Sequence, residues 1–110
     1  MPYIHAMYTV IETNVFVRAA SEVWTEAERV SFINWLAINP EAGDVIPGSG
    51  GCRKVRWARA GMGKRGGTRV VYFNQLECGE IWLLMIYVKA KFDTLPASFL
   101  SQLREAIEHG

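Results

Sequence analysis

Two hydrophobic periods follow each other along the first forty residues. Residues 7–12, MYTVIE, are β-branched and aromatic and predict a first strand. Residues 1–4 read as a loose leader ahead of it. From residue 15 the spacing becomes helical: Val15, Phe16, Ala19, Ala20 and Val23 line one face of a short helix, with Thr13 or Asn14 as its cap. A second helix starts at Thr25. Thr25 and Glu28 have capping-box spacing, so each satisfies a free donor of the first turn. Ala27, Val30, Ile33 and Leu36 or Ala37 form its expected buried stripe, with Trp35 at the edge. Asn39-Pro40 ends it, because proline has no N–H to donate and disfavours helical geometry in the residue before it. Two helices in succession predict an αα-hairpin laid on a sheet.

The second half of the chain alternates instead. Residues 41–51, EAGDVIPGSGG, are a loop with four glycines and a proline. Residues 52–59 then alternate, Lys54 and Arg56 on one face and Val55 and Trp57 on the other. A glycine-rich connection over 60–67 leads to a strand over 68–74, which predicts an antiparallel hairpin with a long basic tip. A tighter turn over 75–79 leads into 81–88, apolar on both faces and therefore expected to be central and covered on both sides. Thr94 caps a last helix over 95–108, with Pro96 in its first turn and Phe99, Leu100, Leu103 and Ile107 on its apolar face. The order β-α-α-β-β-β-α predicts an α+β fold in one domain: a small antiparallel sheet with two N-terminal helices and a C-terminal helix.

Composition adds little, and charge adds much. At 110 residues and 50% apolar the chain has enough material for a core. Cys52 and Cys78 match no metal or redox spacing and read as reduced thiols packed as small hydrophobes. The longest strongly apolar run, 81–88, is too short to span a bilayer, and the first residues lack the pattern of a signal peptide, so a soluble cytoplasmic protein is expected. The net charge of +1 conceals a split. Arg53, Lys54, Arg56, Arg59, Lys64, Arg65 and Arg69 are seven of the twelve basic residues, and no carboxylate lies between Asp44 and Glu77. The remainder holds five basic residues against eleven acidic ones. A basic face on an acidic body fits a polyanion, of which nucleic acid is the commonest in cells.

Several motifs are weaker than they look. Residues 61–66, GMGKRG, match GxGxxG, but a strand follows where the dinucleotide fingerprint needs a helix. Nor are they a Walker A loop, since Ala58 and Arg65 stand at two of its defining positions. They read as a cationic loop whose glycines let backbone approach a phosphate. His5 and His109 stand near the two ends, so neither a metal cluster nor a nucleophile–histidine pair is suggested, and no cofactor is expected. The chemistry left is phosphoryl transfer on RNA, whose own 2′-hydroxyl is the nucleophile and whose developing charge suits arginine. Lys54, Arg56 and Arg69 on adjacent strands could form such a cluster. The bland alternative is a solvated basic face that seats an acidic partner. Trp57 and Tyr72 could stack on bases, though core packing is the commoner role for a strand tryptophan such as Trp57. Trp82 and Phe73 read as core.

The segments Asn39-Pro40, 43–46 (GDVI), 48–56 (GSGGCRKVR) and 63–73 (GKRGGTRVVYF), with the strand 83–87 (LLMIY) and Lys89, resemble the HigB branch of the RelE-type toxins of bacterial toxin–antitoxin systems. The resemblance covers essentially the whole chain. It implies the RelE fold and a ribosome-dependent endoribonuclease that cuts mRNA in the ribosomal A site without metal and stops translation. It implies three partners: ribosomal RNA, mRNA and a neutralising antitoxin, which in this branch often carries a helix-turn-helix. By motif position it implies that Lys54 and Arg56 contact the scissile phosphate and that Arg69 stabilises the transition state. Lys89 or Lys91 stands where the family has a further basic residue; Lys91 joins the catalytic set. Arg53, Lys64, Arg65, Tyr72 and Lys89 are assigned to RNA contact. No tyrosine stands between Phe92 and Ala97 and no histidine in the site, so the general base has no assignment. The alternatives are an inactive module that binds RNA or an antitoxin, and a non-nucleolytic protein whose basic face seats an acidic partner.

Overall fold

The structure, a computed structural model, describes residues 8–57, 67–88 and 97–109. Thr13 caps α1 (Asn14–Val23), accepting from the Phe16 N–H at 3.2 Å. Its hydroxyl also donates to the Leu83 carbonyl at 2.8 Å, so one side chain starts the helix and ties it to the sheet. At α2 (Glu26–Ile38) both bonds of the capping box form, Thr25 Oγ1 accepting from Glu28 N–H at 3.2 Å and Glu28 Oε1 from Thr25 N–H at 2.8 Å. Asn39 closes that helix, its side-chain amide donating to the Trp35 carbonyl.

The strands are β1 (Thr9–Glu12), β2 (Asp44–Val45), β3 (Arg53–Trp57), β4 (Thr68–Gln75) and β5 (Glu80–Val88). They form one five-stranded sheet in the order β1-β5-β4-β3-β2. The expected antiparallel sheet is corrected here to a mixed one: β1 runs parallel to β5, in register from Thr9↔Glu80 to Glu12↔Leu83. β5 thus has a strand on each edge, β4 and β1, and a core on each face. The two residues of β2 also form a strand where a loop was expected, pairing Asp44↔Lys54 and Val45↔Arg53.

Each face of the sheet has its own core. On one, Phe16, Ala20 and Trp24 of the α1 segment and Phe32 and Leu36 of α2 pack on Val55, Val70, Tyr72, Ile81, Leu83 and Ile86. On the other, Leu100 of α3 (Ala97–His109) packs on Cys52, Val71, Leu84 and Tyr87. A bulge pairs Val71 with Met85 but Tyr72 with Leu83, and so puts the extra residue Leu84 beside Met85 on the α3 side. The buried stripe of α2 differs from the expected one: Ala27 and Val30 are exposed, and Phe32, Leu36 and Ala37 are buried. Apolar residues lie almost all round α2, so period alone selects no stripe. The aromatic volume decides, because the Phe32 ring fills the space between Trp24 and Trp57, each 5.2 Å from it centre to centre. Phe99 is exposed rather than on the buried face of α3. Phe73 and Trp82 are half-buried at the margin of the α3-side core. Cys52 is a buried free thiol, and Cys78 is free and exposed. No helix among the described residues is long and apolar enough to cross a membrane.

Candidate functional site

Alternation along β3 and β4 places the cations. Residues directly opposite in an antiparallel pair share a face. Lys54 opposes Val71, Arg56 opposes Arg69, and Arg69 in turn opposes Tyr87 of β5. Val71 and Tyr87 belong to the α3-side core, so Lys54, Arg56 and Arg69 all stand on that side of the sheet. Arg56 is exposed, and Lys54 and Arg69 are half-buried. Two arginines directly opposed across a strand pair disfavour folding, since like charges in that position destabilise a sheet. A cluster kept at that cost is suited to a ligand with negative charge to share.

Two further residues complete this face, and residue type did not mark either. Tyr87 is buried in register with Arg69. Burial pushes its phenol up from 10.0, against the nearby positive charge of Arg69, so the hydroxyl keeps its proton at neutral pH. The available signal was a single tyrosine in an otherwise aliphatic stretch of strand. Asp44 opposes Lys54 from β2 and is exposed. Its signal was its place as the last carboxylate before the basic window.

Tyr72 and Arg53 lie on the opposite side of the sheet, where they serve the scaffold. Tyr72, expected to stack on a base, is corrected to a core residue: it is fully buried, and its hydroxyl donates to the Pro40 carbonyl at 2.9 Å while accepting from the Gly43 N–H at 2.8 Å. Burial raises its pKa from 10.0, opposed by the Gly43 hydrogen bond and by the charge of Arg53, while Asp44 and Glu41 add to the rise. Arg53, expected to contact RNA, pairs in register with Tyr72, and its guanidinium donates to the Gly43 carbonyl at 2.7 Å. The Asn74 side chain also donates to the Pro40 carbonyl, at 2.8 Å. Gly43 fits because a Cβ there would lie 2.7 Å from the Lys54 carbonyl oxygen. These contacts hold the segment from Pro40 to Gly43 on the sheet and so set β2 beside Lys54. Trp57 joins the aromatic group of α2, 5.0 Å from Trp35. Lys64, Arg65, Lys89 and Lys91 lie outside the described residues. Among the described residues no three His, Cys, Asp or Glu side chains gather as a metal would need.

No protein-family model matches the chain. Solved structures do. A mutant of the toxin RelE of E. coli, in the free state, superposes with a TM-score of 0.62 over 89% of this chain and 97% of that one, at 13% identity. The toxin–antitoxin complex RelBE2 of Mycobacterium tuberculosis superposes with a TM-score of 0.61 over 81% of this chain and 99% of the matched one, at 19% identity. The superpositions span nearly the whole of both matched chains, so the three-helix, mixed-sheet architecture described above is the fold of the RelE-type toxins.

Proposed function

We propose that this chain is a toxin of the RelE type, in the HigB branch, that cleaves translated mRNA on the ribosome and is neutralised by an antitoxin. The observation that carries the reading is the direct opposition of Arg56 and Arg69 with Lys54 on the same face. A face that only seats an acidic partner has no need of two arginines in one cross-strand pair. The neighbour solved as a toxin–antitoxin complex supports an antitoxin as partner here. Such a protein acts in the cytoplasm, where messages are translated.

In the proposed reaction the 2′-oxygen of the RNA attacks the adjacent phosphorus. A 2′-O–P bond forms and the P–O5′ bond breaks, leaving a cyclic phosphate and a 5′-hydroxyl. The 2′-hydroxyl loses its proton and the departing 5′-oxygen gains one. No metal takes part. Arg56 and Arg69 neutralise the charge that grows on the phosphate oxygens, and a guanidinium fork matches two of them. Lys54 adds charge on the same side, with Lys91 as the further basic group of the site. Lys64, Arg65 and Lys89 hold the RNA backbone. The ribosome supplies the positioning that a small open face lacks.

The test is induction of the wild type and of Arg69→Ala in a bacterial host without the antitoxin, with growth followed and mRNA 5′ ends mapped. Growth arrest with new in-frame cuts in translated messages, absent in Arg69→Ala, is expected. Normal growth with intact messages despite good soluble expression would replace this reading with the inactive binding module.

A further inference from the structure

A carboxylate on a phosphate-binding face is out of place electrostatically, and Asp44 is held there by construction. Its register with Lys54 fixes it on the side of Lys54, Arg56 and Arg69. The residue before it, Gly43, is buried, bonded to Tyr72 and Arg53 through both of its backbone polar groups, with no room for a Cβ. Strand β2 is only two residues long, and Asp44 is one of them. Yet its carboxylate makes no hydrogen bond or ion pair with any described residue, Lys54 included. Asp44 is therefore neither a counter-ion locked to Lys54 nor a cap. It is an exposed acceptor pair on a strand anchored through Gly43, beside cations that would fix a phosphate.

An ionised carboxylate repels phosphate, so what it receives from RNA is N–H donors. Single-stranded RNA is read along the exposed edges of its unstacked bases. Adenine, cytosine and uracil each offer an isolated donor group on the Watson–Crick edge. Guanine alone offers two adjacent donor groups, N1–H and the 2-amino group, which match the two oxygens of one carboxylate. We infer that Asp44 is a specificity-determining residue that accepts both donors of a guanine next to the phosphate held by Lys54, Arg56 and Arg69. The inference rests on the RNA-cleaving function proposed above and adds to it the base that is read.

The test uses the purified full chain and short single-stranded RNA oligonucleotides that differ at one base, each carrying a 2′-deoxy sugar at the cut position so that binding is measured without cleavage. The guanine oligonucleotide is expected to bind about tenfold more tightly than the adenine one, in line with the discrimination of a bidentate base contact. Asp44→Ala should remove that difference while still binding every oligonucleotide. Asp44→Asn should also lose the guanine preference, because a side-chain amide meets one donor beside one acceptor, a pair that the edge of every base offers. Equal binding of all four bases by the wild type, or a guanine preference that survives in Asp44→Ala, would overturn the assignment. Thermal unfolding midpoints of the variants, unchanged within about 2 °C, exclude loss of fold as the cause. Because binding is read apart from cleavage, a failure in this assay and a failure of the growth assay are separate results.

Discussion

At the scale of single residues, buried polar groups set the site as much as the cations do. Tyr72 is the clearest case, because its hydroxyl is at once donor and acceptor for the segment that carries β2. Tyr72→Phe leaves the Pro40 carbonyl its bond from Asn74 but strips the Gly43 N–H of its acceptor. An unsatisfied buried donor costs about 1–3 kcal/mol, so urea unfolding should show a loss of that size. The same phenol gives a pH signature. Its pKa is raised in the folded state above 10.0, so above about pH 10 the unfolded chain releases the phenolic proton first and binds fewer protons. Stability from this group is then constant below about pH 10 and falls as pH rises beyond it. Tyr72→Phe should flatten part of that alkaline fall, to which the buried Tyr87 phenol and Cys52 thiol, both pushed up by burial, contribute in the same direction. Lys54, Arg56 and Arg69 were legible as one face because alternation and charge are both written in the sequence. Tyr72 was misread because residue type says aromatic but not which side of a strand faces a helix, and Arg53 stands in register with it on that side. Asp44 was not legible, because its meaning depends on its register with Lys54 across two strands.

Among the elements, the caps and the hairpin pattern are local and therefore readable. Thr25 and Glu28 stand three residues apart and complete their box within one turn. The doubly apolar pattern of β5 likewise showed that both of its faces are covered. The parallel pairing of β1 with β5 was not readable, since the partners stand about seventy positions apart and no local rule selects which edge a short strand joins. The stripe of α2 failed for a different reason: apolar and polar residues are interspersed all round the helix and give no phase, and ring packing against Trp57 sets it. The β3–β4 pair carries a prediction of its own. With Arg56 directly opposite Arg69, Arg56→Thr removes a like-charge repulsion and places a β-former in the strand. Chemical denaturation should therefore show a gain of about 0.2–1 kcal/mol. The same variant should arrest growth less than the wild type. A variant both less stable and less active would instead mean that Arg56 supports the strand by packing.

For the molecule as a whole, the decisive property is the segregation of charge. A net charge of +1 would predict almost no long-range attraction to RNA, yet Lys54, Arg56 and Arg69 share one side of the sheet. Arg29 lies elsewhere, on α2, committed to the Glu12 carboxylate at 2.7 Å. Counterion release turns this asymmetry into a measurable slope. On single strands each neutralised phosphate contributes about −0.7 to the dependence of log K on log salt. Three contacts from the described cations therefore give a slope of about −2 or steeper. Removing one contact, in Arg56→Ala, should make it shallower by about 0.7. Arg29→Gln should leave it unchanged, although the total charge falls equally in both variants. Binding of a non-cleavable single-stranded RNA titrated across ~50–200 mM salt separates the possibilities. Equal slope changes in the two variants would show that only net charge matters and that the face has no privileged role. A change confined to Arg56→Ala would tie RNA binding to the side of the sheet on which Lys54, Arg69 and Asp44 also stand.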